Sequence, residues 1–419
     1  MSRPAAELEI VRAMSPDVIR HVWLNNKRHF APDMSDELWL ERAALRTSLD
    51  LGPGVEHKIW ILVPKGRAND PSAVLSAAHT YDRAGLISDV IKTERKSDEV
   101  SVHLRDTIIV YVLLVFTPAE HRKRGYAKQL LVLLNDQLKR QTDPVVELSF
   151  LYSSIGQNFY ESAGWSTIRS RELLIQVSSH RLPELSPSLP SQSTQGDAAA
   201  AVADNQGIMM EDITEFNVQR ITDDDIELIR SEMRERALAN ANASPSLSLS
   251  QSQRVAVILP EGRLFQGQLA MARFTTGRVA MDDRPISRIG VQLISTGIVS
   301  ARQQQPVFII WTYLMPSKLL LILRVRYQTV HQLQCLLWEA MKEAHKWGIT
   351  AVSLWDLDDI DAVAATGIPN TDRSGCWSCL CQLPQGTSSG GGVMTQALAS
   401  VPLAAPVELV LNEAYIFGL

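Results

Sequence analysis

The chain has 419 residues, 45% of them hydrophobic and 21% charged, a balance ordinary for a folded protein of two or three domains. Lys and Arg number 41 against 46 Asp and Glu, and the net charge of -5 argues against a dedicated nucleic-acid binder, which carries a basic excess. Four Cys are too few for a disulfide framework, and no apolar run nears the roughly 20 residues of a spanning helix.

The opening MSRPAAELEIVRAM lacks the apolar core of a signal peptide, so the expected location is cytoplasmic, without a membrane or nucleic-acid partner. Helices are predicted over 15–29 and 35–48, opened by the capping residues Ser15 and Ser35. Strands follow at 57–63, 73–80 and 107–116. Residues 125–141 read as a helix with Ala127, Leu130, Leu131, Leu134 and Leu138 on one face. A strand at 145–151, a short helix at 155–163 and a strand at 167–177 complete this part. Helices between strands of a largely antiparallel sheet indicate an α+β layer.

From Ser178 to Gly207 the chain is mainly Ser, Pro, Ala, Gln and Asp, and reads as a flexible linker. The expected division is a first domain over 1–177, a linker over 178–212 and an α+β lobe over 213–419. Ala237–Gln253 and Pro384–Ser400 read as long surface loops. In the lobe, strands at 307–313 and 318–326 precede an amphipathic helix at 329–346 and a strand at 350–356. This order resembles residues 125–151, so a degenerate second copy of one fold and an unrelated α+β lobe both stay open.

The most informative segment is VFTPAEHRKRGYAKQLLVLL, Val115 to Leu134. An apolar strand ends at Phe116, Pro118 stops it, and the basic turn His121–Arg124 leads into a helix at Gly125. Arg122-x-x-Gly125-x-Ala127 sets unpaired N–H groups and the positive end of a helix dipole around one point, which suits a pyrophosphate. Gly125 lets the backbone approach the phosphates, Ala127 keeps the first turn uncrowded, and Arg122, Lys123 and Arg124 supply charge. Downstream, FLYSSIGQNFYESAGW holds Tyr160-x-x-x-Gly164-Trp165.

Together the two segments resemble the GCN5-related N-acetyltransferase (GNAT) superfamily, with its [RQ]-x-x-G-x-[GA] turn and its Tyr-x-x-x-Gly-aromatic signature. NNKRHF, LSAAHTY, FLYSSIG, FYESAGW and the later WTY, LILRVR and WGITAVSLWD look like fungal lysine N6-acetyltransferases. The resemblance implies a GNAT fold, a mixed and largely antiparallel sheet flanked by helices, with a second α+β lobe. It implies acetyl-CoA as cosubstrate, no metal, and a small-molecule amine as acceptor, best read as the ε-amine of L-lysine. Direct attack in a ternary complex is expected, since no Cys sits near the two segments. A secondary-metabolite amine, a polyamine or a protein amine as acceptor, and a CoA-binding regulatory protein without turnover, are the rivals. Ser154 stands where relatives often carry Asp, and Tyr313 where they carry His, which leaves the acceptor open.

By resemblance, Val115, Phe116 and Thr117 at the strand end meet the pantetheine, the backbone of Val115 and Thr117 pairing with it and donating to the thioester oxygen. Arg122, Lys123, Arg124, Gly125, Tyr126 and Ala127 hold the pyrophosphate, Ser154 and Asn158 are further cofactor contacts, and Tyr160 is the general acid. His29 and His79 are the best-placed histidines for a base. Cys376-x-x-Cys379-x-Cys381 reads as ordinary thiols rather than zinc ligands, and Asp356, Asp358, Asp359 and Asp361 as solvated turn residues. The lobe lacks a second phosphate turn and reads as a lid on the acceptor side, so residues 1–178 alone are expected to bind acetyl-CoA.

Overall fold

In the computed structural model, β1 (Leu8–Arg12) leads into helices α1 (Pro16–Phe30) and α2 (Asp36–Ser48). Strands β2 (His57–Pro64), β3 (Ser76–Lys92) and β4 (Val100–Phe116) follow, then α3 (Tyr126–Lys139), β5 (Val146–Ser153) and α4 (Gln157–Glu161). Next come β6 (Ser166–Ile168), β7 (Arg171–Gln176), β8 (Ile208–Ile213), α5 (Val218–Ala243), β9 (Arg254–Ile258) and α6 (Gly262–Phe274). The chain continues through β10 (Gly290–Ser295), β11 (Val307–Leu314), β12 (Leu319–Arg326), α7 (Val330–Lys346) and β13 (Ala351–Trp355). Short strands β14 (Asn370–Asp372), β15 (Trp377–Gln382) and β16 (Val407–Val410) come last. The structure describes residues 7–52, 55–92, 100–141, 145–153, 155–168, 170–177, 208–243, 254–295, 305–355, 370–372, 377–383 and 407–410. Ser154, Cys376, the Asp356–Asp361 cluster and residues 178–207 lie outside them.

The chain is α+β, with sheets flanked by helices. One unit comprises Met1–Arg169, Ile229–Leu259 and Arg373–Leu411; the other comprises Ser170–Leu228, Pro260–Asp372 and Asn412–Leu419. They interleave along the chain where composition suggests contiguous blocks, because strand pairing, not local composition, decides which sheet a segment joins.

The first sheet runs β1-β2-β3-β4-β5-β15-β6, with β9 beside β3 and β16 beside β9. Among its first seven strands, only β4 and β5 are parallel, joined by the crossover helix α3. The face of α1 carrying Val18 and Val22 packs with Ile59, Ile61, Val63, Val74 and Ala77. Leu131, Leu134 and Leu138 of α3 pack with Val110, Val112, Leu151, Trp165 and Cys379. At Gly85 a Cβ would lie 2.5 Å from Ile109 Cδ1 and 2.9 Å from Val257 O, so glycine is what lets β9 close on β3. Arg254 then binds Asp89 and Glu147 at 2.8 Å each, and Arg105 holds the same two carboxylates.

The second sheet runs β8-β10-β11-β12-β13-β7-β14, again with one parallel pair, β12 and β13, joined by a helix, α7. Place by place the two orders coincide, from the edge strand to the parallel pair. The sixth place is antiparallel to its neighbours in both, and it is filled by a strand from far along the chain: β15 in the first sheet, β7 in the second.

Several expectations need correction. The strand expected over 167–177 is two strands in two sheets, β6 and β7. β3 and β4 each run 17 residues, well beyond the apolar stretches that flagged them. The loop expected from Ala237 is helix to Ala243, since ALANANA continues α5. Residues 1–178 lack β9 and β15, which leaves an edge of β5 unpaired and removes the buried Cys379, Leu380 and Cys381 from the core. We therefore expect a chain ended at 178 to aggregate; a monodisperse, folded peak on size exclusion would contradict this.

Candidate active site

The site begins at a fault in β4. Ala77 pairs with Phe116 and His79 with Leu113, so Leu114 and Val115 together oppose Ala78 alone. Leu114 takes a left-handed φ of 48° to make this bulge. A bulge takes backbone groups off the ladder and re-aims them. On the other edge, the ladder of β4 with β5 registers only as far as Tyr111 with Phe150, although both strands continue. The Tyr111 and Phe150 rings stack at 4.8 Å there, with Tyr152 edge-on at 5.9 Å. The backbone of Val115 and Phe116 thus lies on a stretch of β4 with no registered β5 partner, and Thr117 follows directly after it. Ser76 Oγ donates to Phe116 O and lies within 3.0 Å of Thr117 Oγ1, tying down the strand end.

After Pro118 a single 3-10 turn, Ala119–His121, reaches the basic residues. Arg122 Nε donates to Thr117 O at 3.1 Å, and its guanidinium sits 5.4 Å from the Phe116 ring centroid. This links the turn to the bulged strand. Lys123 at φ 62° and Gly125 at φ 80° are both left-handed, which curls the backbone into the start of α3. Gly125 is the N-cap and has no side chain with which to cap the helix, so no side-chain oxygen competes with an anion there. Arg122, Lys123, Arg124 and Gly125 are exposed, and Tyr126 and Ala127 half-buried. The side of α3 away from solvent buries Leu130, Leu131 and Leu134 and anchors the turn.

Tyr160 on α4 is only 7% exposed and belongs to the cluster against which Val115 and Phe159 pack. Trp165 packs edge-on to it at 6.4 Å. Asn135 Nδ2 donates to Ala163 O at 3.2 Å, which fastens this signature segment to α3. Burial, with a smaller contribution from Cys379, raises the Tyr160 hydroxyl well above its ordinary value, so it stays protonated at neutral pH. Asn158 is exposed on the same helix, which starts after Gly156 at φ 90°.

Of the two histidines, His29 is exposed, its ring 5.8 Å from that of Phe116. His79 is fully buried, with both ring nitrogens bonded: Nε2 to Asn26 Nδ2 at 3.1 Å and Nδ1 to His57 Nε2 at 3.0 Å. His79 has no ring nitrogen left over for a substrate proton. Asn26 lies within NNKRHF, but its meeting with His79 and that of His57 are not announced by spacing, because 53 and 22 residues separate them from His79.

The second unit repeats the bulge without the anion site. Ile310 pairs with Arg324 and Trp311 with Ile322, leaving Leu323 as the extra residue on β12. But Thr329 caps α7, its side chain accepting from Gln332 N while the Gln332 side chain accepts from Thr329 N. This capping box occupies the N–H groups that stay uncapped on α3. Arg324 and Arg326, on the bulged strand, are bound to the fully buried Asp225. Tyr313 is 2% exposed; its hydroxyl lies 2.7 Å from Arg288 O and accepts from Trp311 Nε1. It is a core residue here.

Cys379 and Cys381 are buried on β15, and neither forms a disulfide among the described residues. Among the described residues, no group of three or more His, Cys, Asp or Glu is placed to hold a metal ion, and no helix is long and apolar enough to cross a membrane.

Comparison with known proteins gives a family match over residues 189–373, to the LYC1 GNAT-like C-terminal domain. No curated protein matches the chain. Solved structures that it matches include a GCN5-related N-acetyltransferase from Kribbella flavida, 13% identical, covering 90% of this chain and 71% of that one, with a TM-score of 0.46. A GCN5-related N-acetyltransferase from Anabaena variabilis is 11% identical over 90% and 73%, with a TM-score of 0.45. Eis1 from Mycobacterium abscessus is 11% identical over 90% and 74%, with a TM-score of 0.42.

Proposed function

We propose, from its place in the GNAT superfamily and its resemblance to LYC1-like proteins, that this chain transfers acetyl from acetyl-CoA to the amine of a small molecule. One observation carries the reading: an uncapped, glycine-started helix follows directly on a bulged strand whose far edge has lost its partner. The first element suits a pyrophosphate and the second an extended amide chain ending in a thioester. Arg122, Lys123, Arg124 and the N–H groups after Gly125 hold the phosphates, with Tyr126 and Ala127 shaping the first turn. The backbone around Val115–Thr117 pairs with the pantetheine and donates to the carbonyl oxygen as negative charge grows there. Ser154 and Asn158 are assigned to the cofactor's flank.

The amine nitrogen attacks the thioester carbon, the C–S bond breaks, and the amine's surplus proton leaves to solvent. Tyr160 gives its hydroxyl proton to the departing thiolate and regains one from water. The ε-amine of L-lysine is the acceptor we favour, on resemblance, over a polyamine or a secondary-metabolite amine. The burial of Tyr160 favours a second reading, a CoA-binding protein without turnover. Tyr160→Phe separates the two: it should lower turnover by about 10² to 10⁴ with acetyl-CoA affinity unchanged. Near-normal turnover would return Tyr160 to packing.

Thiol release from acetyl-CoA, followed across amino acids and alkyl amines, tests the function itself. Amine-dependent release with L-lysine among the best acceptors is expected. Release with no amine at all would overturn the proposal.

A further inference from the structure

We infer that Asn135 is a positioning residue for the transfer step: acting through Tyr160, it fixes the acid's turn to the helix whose start holds the cofactor. This role rests on the transferase reading above and adds a residue to it.

The signature Tyr160-x-x-x-Gly164-Trp165 is a helix end that holds its tyrosine from within. Trp165 N donates to Tyr160 O and Gly164 N to Glu161 O, both at 3.1 Å, the paired bonds of a Schellman turn. Gly164 takes the left-handed φ of 103° that such a turn requires. The Trp165 ring stands edge-on to Tyr160 at 6.4 Å, the contact between turn ends that accompanies this motif. The carbonyls of Tyr160 and Glu161 are thus satisfied inside the turn. Ala163 O is taken up from outside it, by Asn135 Nδ2 at 3.2 Å.

Asn135 is an expensive residue in this place. Of the five residues that α3 buries, the other four are Leu130, Leu131, Leu134 and Leu138. A fifth leucine would favour the helix and need no hydrogen bond, whereas asparagine is a weaker helix former and must be satisfied when buried. Asn135 is 4% exposed, and its partner is a carbonyl, which fixes the amide with Nδ2 towards the turn. Nδ2 also lies 3.4 Å from the Cβ position of Gly164, so the amide packs on the turn as well as bonding to it.

The same helix starts at Gly125, the uncapped end assigned to the pyrophosphate. One rigid element therefore carries the phosphate site at its first turn and the tie to the acid's turn further along. This sets the Tyr160 hydroxyl relative to the sulfur of a cofactor held at Gly125. A proton reaches a departing thiolate only over hydrogen-bond distance, and a misplacement of about 1 Å costs about 10²-fold. Without the tie, Tyr160 keeps its burial and its proton but loses its place.

The test is a double-mutant cycle on steady-state thiol release by the full chain, with L-lysine and n-butylamine as acceptor probes. Asn135→Leu should lower kcat about 10- to 100-fold, with the KM of acetyl-CoA and of the amine within a few-fold of the parent. On a Tyr160→Phe background the same substitution should change kcat by less than about twofold, because the group it places is gone. If Asn135→Leu does not fold, Asn135→Ser, too short to reach Ala163 O, is read in its place. An unchanged kcat in a folded Asn135 variant, a loss in KM instead of kcat, or equal losses on both backgrounds overturns the positioning role and leaves the transferase reading standing. Near-normal turnover in Tyr160→Phe alone removes the acid, and the role with it. A parent chain that releases thiol with neither these probes nor any other amine overturns the transferase reading itself.

Discussion

Replacing Gly125 with Asp should abolish acetyl-CoA binding and leave the chain folded. Gly125 has φ 80°, and a Cβ there would meet nothing within 4 Å, so the cost of a side chain is backbone strain alone, about 1–2 kcal/mol. Asp is among the residues that tolerate this conformation, and its carboxylate suits a helix N-terminus, where it can take up the N–H groups of α3. Those same N–H groups are the ones assigned to the pyrophosphate. The substitution therefore fills the anion site with a fixed negative charge while supporting the helix. A loss of affinity on the order of 10²-fold or more is expected. Calorimetry on a variant with a normal circular-dichroism spectrum checks it, and unchanged affinity would dissolve the phosphate-turn assignment.

Asp225→Ala should have the largest effect on stability. Asp225 is fully buried between the guanidiniums of Arg324 and Arg326, themselves 2% and 9% exposed, with Arg324 Nε at 2.7 Å. Taking away the carboxylate removes the buried counter-charge that both guanidiniums bind, which costs about 3–5 kcal/mol. Denaturant unfolding, followed by fluorescence of Trp311 and Trp347 in the same unit, should show it; a shift under about 1 kcal/mol would contradict the burial argument. Burial alone would raise the Asp225 carboxyl, but Arg324 and then Arg326 outweigh it and hold it below its usual value. A depressed carboxylate contributes stability that is fully present above its unfolded pKa, about 3.9. That stability is lost as pH falls through the lower folded value. The gap between parent and variant should therefore be constant at neutral pH and narrow in acid below about 3.9.

Local signals made part of this legible. The 3.6-residue spacing of Leu130, Leu131, Leu134 and Leu138 marks α3, and Ser35 caps α2 as its position predicts, whereas the Ser15 side chain makes no capping hydrogen bond to α1. Gly125 and its basic neighbours are visible because an anion turn needs those residue types in that order. The bulge is not visible: Leu114 is neither glycine nor asparagine, and only pairing against Ala78 forces its φ positive. Strand exchange is equally hidden, since RELLIQ and WSCLCQ are ordinary strands whose sheet is chosen by distant partners. The far ends of β3 and β4 are not legible in the sequence because DRAGLISDV mixes charge and glycine among its apolar residues, while its pairing with β4 and β9 is long-range. Asn26, His79 and His57 meet only through the fold, so no spacing could announce them.

The two units make the cofactor assignment a question of number. Both have a bulged strand followed by a helix, but α3 starts at an uncapped glycine and α7 at a side-chain capping box. Calorimetric titration of the full chain with acetyl-CoA tests this most directly. One site per chain, lost in Gly125→Asp, is the result expected. No binding, two equivalent sites, or a single site that survives Gly125→Asp would contradict the account.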